Sequence, residues 1–218
     1  MNLFKKNEDE QIKAIRPENF GWLEKKLSGK EMEYLWKCID SGSKKSYKEH
    51  LAGAIHESNI LNDRSDWFWQ HTLMPLCQEY REQFNNLGSN IPVNQLHPYY
   101  LSAWWVNFQK QNEFNPNHHH DGVYSFVIWM KIPTKHFEQN KNPISLKSNS
   151  NVISSFEFNY VDILGQMSRH RYEMNPKMEG TMLFFPSKLS HCVYPFYNCD
   201  EDRISISGNI GLNTAKLL

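Results

Sequence analysis

Apolar positions recur along the chain at two different periods, and the change between them divides it. Met32, Leu35, Trp36 and Ile39 follow helical spacing. Ser28 with Glu31 makes a capping-box pattern before them, and Ser41-Gly42 ends the run. A second helical stretch is predicted from about Ser65 to Phe84, with Trp67, Leu73, Leu76, Cys77, Tyr80 and Phe84 on its face and Pro75 kinking or splitting it. Trp67-Phe68-Trp69 at its start reads as core. Residues 1 to about 25 show no sustained period and are predicted to form an arm ending in a short helix.

Beyond Gly88-Ser89-Asn90-Ile91-Pro92 the pattern becomes that of strands. Those predicted cover 99–108, 123–132, 155–161, 170–173, 181–185, 191–194 and 203–210. The stretch 99–108 is too continuously apolar for a one-sided surface strand, and 123–132 reads as a buried strand. Residues 135 to about 152, rich in Asn, Lys and Ser, are predicted to be a surface loop or a disordered excursion, and a polar hairpin is expected around Gly165. The sum is an α+β, mainly β fold, a sandwich or jelly roll with the earlier helices packed on one sheet. One folded unit is expected, with residues 1–95 as a helical support region and 96–218 as the β core.

The formal net charge is zero, so no broad positive field advertises nucleic acid or anionic lipid, although nucleic acid is not excluded. Cys38, Cys77, Cys192 and Cys199 form no C-x-x-C pair and read as free thiols of a reducing compartment. Met1 to Lys6 turns charged at once, and no apolar run approaches membrane-spanning length. The expectation is a soluble, cytoplasmic protein.

Candidate chemistry concentrates in Asn117-His118-His119-His120-Asp121-Gly122, immediately before the apolar run at Val123. Imidazole and carboxylate suit a first-row metal, and side chains two apart on extended backbone share a face. Either His118 and His120, or His119 and Asp121, would therefore grip one ion, with His191 as the third ligand. Asp121-Gly122 also reads as a turn pair, which favours His118 and His120. Downstream, Arg203 and Ser205 lie on one face of the last strand, where Arg203 would form a bidentate pair with a carboxylate. Taken alone, that strand reads as half-buried with its polar residues facing out.

The ordered set of H-x-(H or D), Phe185-Pro186-Ser187 leading to His191, and Arg203-Ile204-Ser205-Ile206-Ser207 resembles the iron(II)- and 2-oxoglutarate-dependent oxygenases. More narrowly, it resembles oxygenases carried by marine phages and bacteria. The resemblance covers roughly 104–210 and implies a double-stranded β-helix with ligands at one mouth. It implies Fe(II) held by His118, His120 and His191 (or His119, Asp121 and His191), with 2-oxoglutarate and O2 as co-substrates. Arg203 and Ser205 would hold the distal carboxylate of 2-oxoglutarate, and Asn107 would hydrogen-bond the co-substrate. The implied reaction is a hydroxylation coupled to decarboxylation to succinate, acting on a protein side chain, a nucleobase or a small metabolite. Tyr100, Trp105 and Trp129 are candidates for the substrate channel or the core. Two other classes fit the residues: a cupin-like, non-oxidative metalloenzyme, and a non-catalytic jelly-roll binding module.

Overall fold

The computed structural model describes residues 13–15, 17–42 and 45–218, so the expectations for residues 1–12 lie outside the described residues. In chain order the elements are β1 (Leu23–Lys26), α1 (Gly29–Asp40), β2 (Glu57–Ile60), a π-helical turn (Trp69–Leu73) running into α2 (Met74–Phe84), β3 (Tyr99–Gln109), β4 (Asn115–His118) and β5 (Tyr124–Lys131). There follow α3 (His136–Gln139), β6 (Ser155–Val161), β7 (Met167–Glu173), β8 (Thr181–Pro186), β9 (Ser190–Val193) and β10 (Arg203–Leu212). The strands form two antiparallel sheets, ordered β1-β8-β5-β10-β3-β2 and β4-β9-β6-β7.

The large sheet is covered on both faces, which explains the unbroken apolar run of β5. Tyr124, Phe126, Ile128 and Met130 face the helices, packing in one core with Leu35, Phe68, Leu73 and Tyr80. Val127 and Trp129 face the small sheet, in a second core with Phe156, Phe158, Leu183 and Phe185. A strand buried on both faces has no polar side to alternate with. Phe68 is wholly buried, with Trp67 and Trp69 packed partly buried against the helical core.

Glu31 fastens the helical layer to the sheet. Its carboxylate accepts from Lys25 Nζ on β1 (2.7 Å), from the Ser28 backbone N–H and hydroxyl (both 2.8 Å), and from Thr72 Oγ1 on the π-helical turn (2.8 Å). Burial pushes this carboxyl up, but the Lys25, Ser28 and Thr72 hydrogen bonds outweigh it and bring the pKa down to about 2. A depressed carboxyl pKa stabilises the fold above its ordinary value of 4.5, and that contribution is lost as pH falls through about 2. Glu31→Gln is expected to cost on the order of 2–3 kcal/mol at pH 7 and to flatten the loss of stability between those two pH values. Urea denaturation at pH 7 and pH 3 checks this; an unchanged midpoint at pH 7 would show that the carboxylate contributes nothing.

Three expectations need correction. Residues Leu23–Lys26 form an edge strand on β8 where a short helix was expected, because four residues are too few to show a period and their pairing is tertiary. The excursion after β5 is not wholly at the surface. It opens with α3, whose His136 and Gln139 are buried, and Gln139 is held at 2.8 Å by reciprocal bonds with the Tyr197 backbone. The hairpin at Gly165 is apolar at its tip, exposing Val161, Ile163 and Leu164.

All four cysteines are free. Among the described residues, no helix is long and apolar enough to cross a membrane.

Candidate metal centre

Strand β4 pairs with β9 so that His118 lies directly opposite His191. His120 sits two residues past His118, its N–H donating to Ser187 O at 2.8 Å, before Gly122 (φ +96) reverses the chain into β5. That left-handed turn requires glycine, since a Cβ there would stand 2.7 Å from Ile210 O. The result is a cluster in which the available ring nitrogens of His118, His120 and His191 all lie within 4.8 Å of one another. The Nε2 atoms of His120 and His191 are 3.2 Å apart.

Two of the three rings have a settled tautomer. His118 Nδ1 donates to Pro116 O (2.7 Å) and His191 Nδ1 to Leu189 O (2.9 Å), which puts the ligating lone pair of both rings on Nε2; that of His118 lies 3.3 Å from Asn115 Nδ2. Burial lowers the pKa of all three, reinforced by the neighbouring imidazoles: to about 4 for His120 and well below the ordinary value for His191. The rings are therefore neutral at pH 7, the form that binds a cation. His119 is exposed, and Asp121 is fully exposed with its carboxylate 3.2 Å from Lys188 Nζ. Asp121 is not in the cluster.

The three histidines form part of the wall of a cavity of about 110 Å³ between the sheets. Its large-sheet wall comes from alternate residues of β3 and β10, in register as Gln109 with Arg203, Asn107 with Ser205, and Trp105 with Ser207. All of these candidate residues therefore share one cavity with the histidines. Trp129 also lines it and is buried, whereas Tyr100 is exposed and away from it.

Arg203 is 2% exposed and meets only neutral acceptors. Its Nη1 donates to Gln109 Oε1 and Tyr194 O, both at 3.3 Å, and its Nη2 to Ser154 Oγ at 3.0 Å, with the guanidinium 4.7 Å over the Phe196 ring. Burial draws its pKa down to about 9. Among the described residues, none that lines the cavity is Asp, Glu or Lys. Four buried polar atoms of the lining have no hydrogen-bond partner: Arg203 Nε, Asn107 Oδ1, Trp105 Nε1 and Asn115 Oδ1. A buried cation and orphaned polar atoms in one cavity are the environment of a polar, anionic ligand.

Sequence reading missed Gln109, Ser154 and the segment at His50, Leu51, Ala52 and Ile55 that also lines the cavity. Gln109 lies two residues from Asn107 on the same strand face, so alternation would have found it. No local signal marks the others.

Residues 103–209 match the family model described as "Putative 2OG-Fe(II) oxygenase". Over these residues, just under half of the chain, the β core is similar to the 2OG-Fe(II) oxygenase family. Oxygenases of this family use Fe(II), 2-oxoglutarate and O2, and the histidine cluster and buried arginine are a donor set suited to the first two. Among solved structures, a prolyl-4-hydroxylase from Pseudomonas putida is similar at TM-score 0.52 and 14% identity, covering 89% of this chain and 94% of its own. SnoN, a non-heme alpha ketoglutarate dependent epimerase from nogalamycin biosynthesis, is similar at TM-score 0.51 and 14% identity, covering 88% and 76%. At these identities the likeness is one of fold, the double-stranded β-helix. A comparison with curated proteins finds no match.

Proposed function

We propose that this oxygenase is a hydroxylase in which His118, His120 and His191 hold Fe(II), while Arg203 and Ser205 receive the distal carboxylate of 2-oxoglutarate. What carries the reading is that one cavity, without a carboxylate in its lining among the described residues, holds the three clustered neutral imidazoles and a buried arginine that, among the same residues, has no counter-ion. Three neutral ligands leave the full charge on a divalent ion, and Arg203 adds a second cationic point. A single added dianion with one end for each offsets two of these three positive charges.

When bound, Fe(II), 2-oxoglutarate and O2 supply the oxidising chemistry. The chain's own part is to orient and to exclude. Leu189 O and Pro116 O fix the imidazole tautomers, and Asn107 offers an unpaired carbonyl beside Ser205. Phe156 and Phe185 supply apolar wall beside the polar residues. His50 and Ala52 are exposed where their segment lines the cavity, and we propose this side as the substrate's entrance and a protein side chain or a small molecule as its class.

Anaerobic addition of Fe(II) and 2-oxoglutarate together is expected to give a visible absorption band that neither gives alone, and O2 is expected to yield succinate. Tight binding of a metal without any 2-oxoglutarate dependence would instead indicate a non-oxidative centre.

A further inference from the structure

The excursion after α3 returns to Arg203 of the cavity wall at Ser154, which is 0% exposed and holds φ +54, a left-handed conformation rare for a residue with a side chain. Its backbone is pinned on every side. The N–H donates to Pro195 O at 2.8 Å, and the carbonyl accepts from the Met174 N–H at 3.1 Å and lies 3.3 Å from His136 Nδ1. Strain this well held in place is characteristic of a functional constraint. The constraint is visible in the side chain: Ser154 Oγ accepts from Arg203 Nη2 at 3.0 Å, shorter than either bond on Nη1, and lies 3.2 Å from the buried Thr134 Oγ1. A guanidinium only donates, so Ser154 Oγ accepts from it, and the Ser154 and Thr134 hydroxyls pair with either as the donor, linking the three groups in one chain.

We propose that Ser154 is a positioning residue for the co-substrate, its hydroxyl fixing the guanidinium of Arg203 in the orientation that meets the distal carboxylate. This rests on the reading of Arg203 given above. A neutral hydroxyl holds the guanidinium without neutralising it, so the charge stays available; a carboxylate in its place would occupy the arginine permanently. The left-handed backbone places that hydroxyl on the arginine from a segment sharing no strand with it.

The test compares two ligands on the full chain loaded with Fe(II) under argon, by calorimetry: 2-oxoglutarate, and 2-oxobutanoate, which keeps the 2-oxo acid and lacks the distal carboxylate. Ser154→Gly accommodates the left-handed backbone and removes the whole hydroxymethyl side chain; Ser154→Ala removes the hydroxyl alone. Both are expected to bind 2-oxoglutarate about tenfold more weakly and 2-oxobutanoate as the parent does, with Thr134→Val shifting 2-oxoglutarate in the same direction by less. Unchanged 2-oxoglutarate affinity in Ser154→Gly, or an equal loss for both ligands, overturns the assignment and leaves Ser154 a structural residue. If the parent chain does not prefer 2-oxoglutarate and Arg203→Ala binds both ligands as the parent does, the arginine reading itself fails. A parent that discriminates through Arg203 while Ser154→Gly keeps that discrimination sinks only the serine.

Discussion

His118→Ala and His120→Ala are each expected to abolish iron-dependent turnover of 2-oxoglutarate, whereas His119→Ala and Asp121→Asn should lower it only modestly. The difference follows from strand parity. His118 and His120 turn to His191, while His119 is exposed and Asp121 stands in solvent beside Lys188. Removing one of three ligands takes away a coordinate bond that no neighbouring carboxylate replaces, and the remaining pair is too weak a chelate to retain Fe(II) at micromolar concentration. His191→Ala should behave like the first two. It is the most buried of the three, and its ring also packs against Phe156 and Phe185, so thermal denaturation of the metal-free variant must show that the fold survives. Bound iron per chain, measured after gel filtration, is the direct readout. Activity lost at His119 and Asp121 and kept at His118 and His120 would restore the two-histidine, one-carboxylate register. Mild, equal losses at all four positions would remove metal from this stretch altogether.

Strands β3 and β5 to β10 were legible in the sequence because each carries its own signal, whereas β1, β2 and β4, of four residues each, were not predicted. The apolar run of β5 and the turn at Asp121-Gly122 imply a buried strand beginning just after the histidines, and both are found. The capping box of α1 was equally local, with Ser28 and Glu31 bonded reciprocally. What could not be read was which face of a strand looks inward. Arg203-Ile204-Ser205-Ile206-Ser207 taken alone reads as isoleucines toward the core and polar residues outward. In the fold both faces are interior, the isoleucines against the helices and Arg203, Ser205 and Ser207 in the cavity between the sheets. Alternation reports that the two faces differ, and only the second sheet decides that the polar one is enclosed. Ser154 and the cavity-lining segment at His50 to Ile55 were illegible for a related reason. They reach the site through backbone bonds such as Ser154 N–H to Pro195 O and the bridge of Ala54 with Phe114, which carry no residue signature.

Replacing Arg203 should move stability and co-substrate affinity in opposite directions. The guanidinium is almost wholly buried, has only neutral partners, and is disfavoured in its charged form, its pKa drawn from the ordinary arginine value down to about 9. A cation whose folded pKa lies below its unfolded value costs stability wherever it stays charged, which here includes neutral pH; the cost is relieved only as pH rises through about 9. Arg203→Met keeps the volume and the packing on Phe196 and removes the charge. The metal-free variant is therefore expected to be as stable as the parent, or more so by up to about 3 kcal/mol, since apolar replacements of buried ionic groups are often neutral or stabilising. Its affinity for 2-oxoglutarate should fall by roughly ten- to a few hundredfold, the equivalent of about 1.5–3 kcal/mol for a lost charge-assisted hydrogen bond. Thermal denaturation in the presence of Fe(II) reads both effects at once, because 2-oxoglutarate should raise the melting temperature of the parent and leave that of Arg203→Met nearly unmoved. A variant that melts several degrees lower without ligand and is still stabilised by 2-oxoglutarate like the parent would make Arg203 a structural cation and return the last strand to its ordinary reading.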